Sequence, residues 1–244
     1  MPGYFCDVPV FVGDPDSAVR LVIDKDAPNT FRLINSGTFY SASSDPAYWT
    51  ILQARGINLP DGSPLAWYLR RKGYKETQQV RGPWLFEACM DRGQLESVRH
   101  FLLGTTDETL EQLAQKLSEK YPDAKIVGTH APPFGEMTSE SRSAQDLLIE
   151  RTAPDIVWVA LGTPKQDREA GRIHERLGVT TVAVGAAFDF SAGTKRPAPN
   201  LLIALHLEWL FRLISEPRRL WRRYLIGNST FLMLMVRDIR KWKR

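Results

Sequence analysis

Cysteine is scarce: the 244 residues hold two, Cys6 and Cys89, with no CxxC spacing. A disulfide scaffold is excluded on number alone, and a reducing, cytoplasmic setting is the expectation. Long apolar runs are missing as well. Stretches such as Phe231-Leu-Met-Leu-Met-Val236 fall far short of the roughly 18 residues that span a bilayer. The opening MPGYFCDVPV has no basic region leading into an apolar stretch, so no signal peptide is expected. Neither GxGxxG nor GxxxxGK[ST] occurs, which disfavours a dinucleotide dehydrogenase or a P-loop enzyme. The four histidines, His100, His130, His174 and His206, show no HxH or HExxH spacing, so no zinc site is expected. No repeat or low-complexity tract stands out.

What is present is ordinary in bulk and uneven in detail. Hydrophobic residues at 43% and charged residues at 25% exclude wholesale disorder and leave enough apolar material for a real core. The length suits one large domain, or one domain plus an appendage. The formal net charge of +4 hides a split. From Leu207 to Arg244 ten basic residues face three acids, Glu208, Glu216 and Asp238, a net of +7 that leaves −3 on the preceding 206 residues. A basic end on an acidic body points to an anionic partner there, either phosphate, nucleic acid or a lipid surface. Within that end, Glu216-Pro-Arg-Arg-Leu-Trp-Arg-Arg-Tyr-Leu225 sets Trp221 and Tyr224 among four arginines. Arginine matches phosphate oxygens bidentately, and tryptophan and tyrosine favour the bilayer interface. The acidic body disfavours nucleic acid.

The middle of the chain alternates strand and helix. His100-Phe-Leu-Leu-Gly104 reads as a strand, followed by a helix from Thr106 to Tyr121 with Leu110, Leu113 and Leu117 on one face. Lys125-Ile-Val-Gly128, Asp155 to Gly162 and Val179 to Gly185 repeat the strand-to-glycine pattern, with a helix expected over Lys165 to Leu177. Such units predict an α/β fold, a Rossmann-like, mostly parallel sheet with helices on both faces. Loops after Gly104, Gly128, Gly162 and Gly185 then converge on one crevice at the carboxyl ends of the strands. Earlier in the chain, Val8 to Val12 and Arg20 to Ile23 read as strands and Asp45 to Arg55 as a helix. Ile57-Asn-Leu-Pro60 feeds the turn Asp61-Gly62 and a helix from Pro64 to Lys72.

Two acidic motifs and one helix start invite chemistry. Asp14-Pro15-Asp16 has the acid-x-acid form that holds a divalent metal in many nucleotide-sugar enzymes, but two acids flanking a proline in a loop are usually just a solvated turn, and that reading is preferred. Asp61 stands at a strand-to-helix turn, where it can cap the helix or take a proton from a sugar hydroxyl, as inverting glycosyl transfer requires. Gly162-Thr-Pro-Lys-Gln-Asp167 follows the strongest strand and puts Lys165 and Gln166 at a helix N-terminus, either facing solvent or meeting an anionic or polar ligand.

Seven segments, in order, carry a resemblance: LPDG (59–62), RGPWLF (81–86), FLLGTTDETL (101–110), GTHAPPF (128–134), DIVWVALGTPKQD (155–167), VGAAFDFSAGT (184–194) and LEWLFRLISEPRRLWRRYLIGN (207–228). The chain resembles the WecG/TagA/CpsF family of bacterial glycosyltransferases from roughly Asn35 to Leu232. The resemblance implies an inverting, metal-independent transfer, with no cofactor, from a UDP-sugar donor to a polyprenyl-diphosphate-linked sugar acceptor. The setting implied is the inner face of the cell membrane, in teichoic acid, capsule or exopolysaccharide synthesis. It makes Asp61 the catalytic base and places the family's active-site asparagine, arginine and glutamine on Asn35, Arg81 and Gln166. Arginines that bind the lipid diphosphate fall on Arg212, Arg219 and Arg222. The UDP moiety is expected against Gly104, Thr105, Gly162, Gly185, Phe188 and Asp189.

On this reading residues 1–198 form an α/β catalytic domain. Its 1–95 part bears the base and meets the acceptor, and its 96–198 part binds the UDP-sugar. Residues 199–244 form a helical, membrane-associating appendage that meets an anionic membrane surface, and no nucleic-acid partner is expected. The chain departs from the family pattern at Leu33, at Asp167 where glutamate is usual, at Arg196-Pro-Ala-Pro199, and around Arg81. Two other classes compete. An α/β methyltransferase or reductase explains the glycine loops but not the basic end, and a non-catalytic membrane-binding module explains that end but leaves the crevice idle.

Overall fold

The computed structural model describes residues 1–196, 198–199, 201–202, 208–221 and 225–242. A small antiparallel hairpin, β1 (Gly3–Phe5) and β2 (Val8–Val10), leads into helix α1 (Pro15–Ile23). Strands β3 (Thr30–Ile34) and β4 (Ile57–Pro60) are linked by α2 (Ser36–Ser43) and α3 (Pro46–Gln53). Helices α4 (Ser63–Arg71) and α5 (Gly82–Gly93) then lead to β5 (Arg99–Gly104), α6 (Asp107–Lys120), β6 (Lys125–His130) and α7 (Ser139–Thr152). The alternation closes with β7 (Ile156–Ala160), α8 (Lys165–Leu177), β8 (Thr180–Ala183) and the short α9 (Ala187–Ser191). Among the described residues, helices α10 (Glu208–Ser215), α11 (Pro217–Trp221) and α12 (Gly227–Trp242) lie towards the end of the chain.

Strands β3 to β8 form one wholly parallel sheet in the order β4-β3-β8-β7-β5-β6. A parallel sheet is covered on both faces, so its strands read as continuous apolar runs. β7, with all five residues buried, is the clearest case. Leu102, Trp158 and Val182 face α1, α5, α6 and α9, whereas Phe101, Leu103, Val157 and Val159 face α7 and α8. The Rossmann-like α/β architecture and its helices on both faces are as the sequence predicts. Trp158 anchors the first face, edge-on to Phe86 with ring centroids 4.9 Å apart, and its Nε1 donates to His100 Nδ1 at 3.1 Å. Burial lowers the His100 pKa to about 4.

Three expectations need correction. Arg20 to Ile23 is the end of α1, not a strand: Asp14 caps that helix through the Ser17 N–H, Pro15 opens it, and Ala18, Val19, Val22 and Ile23 make one buried face at helical spacing. The strand at Val8 stops at Val10 and belongs to the hairpin, outside the large sheet. Gly128 does not end a strand but lies inside β6, where a side chain would meet the Phe101 ring at 2.7 Å.

A third core joins the hairpin to α2, α3 and α4, with Phe5, Phe39, Tyr48 and Tyr68 at its centre. Helix α12 belongs to it. Its Phe231 is 3% exposed and stacks on Phe5 at 5.1 Å. Its Asp238 is buried and accepts from the Cys6 N–H (3.0 Å), Tyr68 Oη (2.7 Å) and Lys72 Nζ (2.6 Å). Burial first, and then that carboxylate, raise the Tyr68 hydroxyl pKa, and burial raises the Cys6 thiol to about 12. Both cysteines are free and buried.

Candidate active site

Strands β3 and β4 run side by side with Ile34 opposite Pro60, so the next residues, Asn35 and Asp61, emerge together at the carboxyl edge of the sheet. Asn35 is the N-cap of α2: its Oδ1 accepts from the Gly37 and Thr38 N–H groups, while Thr38 Oγ1 accepts from the Asn35 N–H at 3.1 Å. This reciprocal box fixes the side chain and leaves its Nδ2 free to donate to Asp61 Oδ2 at 3.0 Å. Asp61 does not cap the helix that follows it, because Gly62 is the N-cap of α4 and no side chain caps that end. Instead Asp61 Oδ1 accepts from the Gly82 N–H at 3.1 Å, the first residue of α5. Asp61 is therefore fixed at both oxygens and is partly exposed. A carboxylate has about four lone-pair positions, so two remain for a substrate proton.

Arg81 is the N-cap of α5, next to Gly82, and is partly exposed. Gln79 Nε2 donates to the Asp61 carbonyl at 2.6 Å, and the Val80 N–H donates to the Pro60 carbonyl at 2.9 Å, so residues 79 to 82 wrap the Asp61 turn. Gly82 in turn lies against Leu33 and the Val184 carbonyl, which joins this corner to the end of β8. Gln166 lies further along the same edge. It is buried, its Oε1 accepts from the Gly162 N–H at 3.1 Å, and a side chain at Gly185 would meet that oxygen at 3.1 Å. Asn35, Asp61, Arg81, Gln166, Gly162 and Gly185 thus line consecutive strand ends.

The topological switch point falls between β5 and β7. From β5 the chain passes through α6 to β6 on one side, and from β7 through α8 to β8 on the other, with α6 and α8 on opposite faces. Ligands of open α/β sheets bind in the crevice this reversal leaves. Its walls are Gly104–Thr105 and Gly162. Only glycine fits at 104: φ is +126°, and a Cβ would meet the Ala160 carbonyl oxygen at 2.4 Å. Thr105 also takes a left-handed conformation, φ +57°, rare for a β-branched residue. Phe188 is buried in the core against Phe86 at 5.3 Å. Asp189 accepts from Lys195 Nζ at 2.9 Å, and Lys195 lies 3.7 Å from Glu216 Oε1, which ties the end of β8 to the turn between α10 and α11.

Arg212 and Arg219 fall in α10 and α11, although their side chains, and Arg222 altogether, lie outside the described residues. Asp14 and Asp16 have separate partners: Asp14 caps α1, with its pKa lowered by the Ser17 backbone hydrogen bond, and Asp16 pairs with Arg92. Two residues at the site escape sequence reasoning. Gly82 lies in the RGPWLF segment and at the Gly-Pro of a helix start, neither of which gives it a role beside Asp61, and Gln79 is marked by nothing.

The chain matches the Glycosyl transferase WecG/TagA/CpsF family over residues 4–244. It is similar to the N-acetylglucosaminyldiphosphoundecaprenol N-acetyl-beta-D-mannosaminyltransferase of Bacillus subtilis (strain 168), at 28% identity over 204 residues, 83% of this chain and 77% of the relative. The protein of the same name from Bacillus spizizenii (strain ATCC 23059 / NRRL B-14472 / W23) is 28% identical over 187 residues, 76% of this chain and 70% of the relative. This chain belongs to the WecG/TagA/CpsF family and is a glycosyltransferase.

Proposed function

We propose that the protein transfers a sugar from a UDP-sugar to a sugar on a polyprenyl diphosphate, with inversion and without a metal, in cell-surface polysaccharide synthesis. The observation that carries this reading is the Asp61 carboxylate, held by Asn35 and by the start of α5 on the same carboxyl edge of the sheet as the crevice. Asp61 takes the proton of the acceptor hydroxyl as that oxygen attacks the anomeric carbon. The bond from that carbon to the diphosphate breaks on the opposite side, and UDP leaves with its electron pair. The charge growing on UDP is met by the N–H groups at the starts of α6 and α8, by Arg81 and by the arginines of α10 and α11.

The relatives' names supply the first substrates to try, an N-acetylmannosaminyl donor and an N-acetylglucosaminyl-diphospho-polyprenol acceptor. The outer surface of the last helices supports a membrane-bound acceptor. Leu232, Met233 and Val236 on α12 are 56%, 66% and 49% exposed, beside Arg237, Arg240 and Lys241. Trp209, Ile214 and Trp221 are exposed on α10 and α11. Among the described residues no helix is long and apolar enough to cross a membrane; exposed apolar side chains flanked by basic ones suit attachment to one face. A transfer assay with a panel of UDP-sugars and a short-chain polyprenyl-diphosphate acceptor tests the reading. Product of inverted anomeric configuration, formed equally in EDTA, is expected; retention of configuration or abolition by EDTA would refute it.

A further inference from the structure

The GTHAPPF segment ends in an aromatic ring that the catalytic reading leaves unused. Ala131 packs with the core on the α6 side, directly after His130 at the end of β6. Four residues beyond Ala131, the Gly135 carbonyl accepts from Lys165 Nζ at 2.7 Å, at the start of α8. Helices α6 and α8 cover opposite faces of the sheet, and β5 lies between β6 and β7. With His130 paired to Leu103, the loop starts beside Gly104 and reaches the Lys165 side chain three residues past Gly162, so it runs along the carboxyl rim next to the switch point. Pro132 and Pro133 stiffen it, Gly135 (φ +104°) turns it, and Phe134 stands out at 108% exposure.

We infer that Phe134 is the stacking platform for the nucleobase of the donor. An exposed phenylalanine alone is unremarkable; one carried on a stiff loop beside the ligand crevice of an α/β sheet is placed to cover a planar, weakly hydrated ring. The chemistry fits a nucleoside diphosphate whose phosphates face the starts of α6 and α8, with its base towards the β6 side, away from Asp61 at the β4 edge. Neighbouring strands are about 4.8 Å apart, so four intervals separate β4 from β5, room for an extended nucleotide-sugar.

This inference rests on the UDP-sugar reading, and calorimetry on the full-length protein tests it with UDP and inorganic pyrophosphate as ligands. Phe134→Ala is expected to weaken UDP about tenfold, in the range of base–aromatic stacking, with pyrophosphate unchanged and Phe134→Tyr near wild type. Phe134→Trp should retain UDP binding and show a fluorescence change on adding it. Tight wild-type binding of UDP, left unchanged in Phe134→Ala, would overturn the inference alone. Loss of anionic-vesicle binding in that variant, with UDP affinity intact, would assign the ring to lipid instead. A wild-type protein silent towards UDP would overturn the donor assignment, and this inference with it.

Discussion

The Asn35 side chain spends its oxygen on capping α2 and its nitrogen on holding Asp61, and substitution can separate the two. Asn35→Ala removes both and should cost about 1 kcal/mol of stability, read by denaturant unfolding, together with most of the turnover. Asn35→Ser keeps a capping oxygen but lacks the amide donor, so its stability should stay near wild type while kcat falls. Equal loss of both properties in the two variants would mean Asn35 serves the fold alone. His100 makes a different prediction. Its folded pKa of about 4 lies below the ordinary 6.5, so below pH 6.5 the unfolded chain takes up a proton that the native state refuses. Stability present above pH 6.5 is therefore lost as pH falls towards 4, by about 3 kcal/mol from this one group. Chemical denaturation from pH 7 to 4.5 should show that slope, and His100→Gln should flatten it.

At the scale of elements, α12 is anchored by a charge. The Lys72–Asp238 pair is 11% and 5% exposed, and Tyr68 and the Cys6 N–H complete the carboxylate's shell. Breaking a buried pair from one side strands the other charge, so Asp238→Ala should destabilise the protein by about 3–5 kcal/mol, measured by urea unfolding. Cutting the chain near Pro199 would also remove Phe231 from the third core. Legibility at this scale followed periodicity. β5, β7, α6 and α8 are apolar runs or clean helical faces, and all were readable. β3 was not, because Thr30-Phe-Arg-Leu-Ile34 carries Arg32 into a fully buried strand. There Arg32 Nη2 donates to the Arg55 carbonyl at 2.8 Å, a partner that no local pattern announces. α2, Ser-Gly-Thr-Phe-Tyr-Ser-Ala-Ser, is poor in helix formers and relies on its Asn35 cap. Since Asn35 and Asp61 meet only because β3 pairs with β4, their partnership was invisible locally and came from family resemblance alone.

Over the whole molecule the charge split acquires a location. Of the basic residues behind the +7 carried from Leu207 onward, Arg218, Arg237, Arg240 and Lys241 share α11 and α12 with the exposed Trp221, Leu232, Met233 and Val236, and the Asp61 corner lies beside α12, joined by Ser36 Oγ donating to Asn228 Oδ1 at 2.9 Å. Sedimentation with vesicles should therefore show binding to anionic lipid that weakens with salt, each surface Lys or Arg contributing about 1 kcal/mol. Little binding to neutral vesicles is expected, and salt-independent binding would contradict the electrostatic part. The central claim is that Asp61 is the base of a glycosyl transfer, and Asp61→Asn tests it most directly. An asparagine preserves size and can still accept from Gly82, but it cannot take the acceptor's proton. The account predicts turnover down by roughly a hundred- to ten-thousand-fold with UDP affinity unchanged. Near-normal turnover in Asp61→Asn would contradict it.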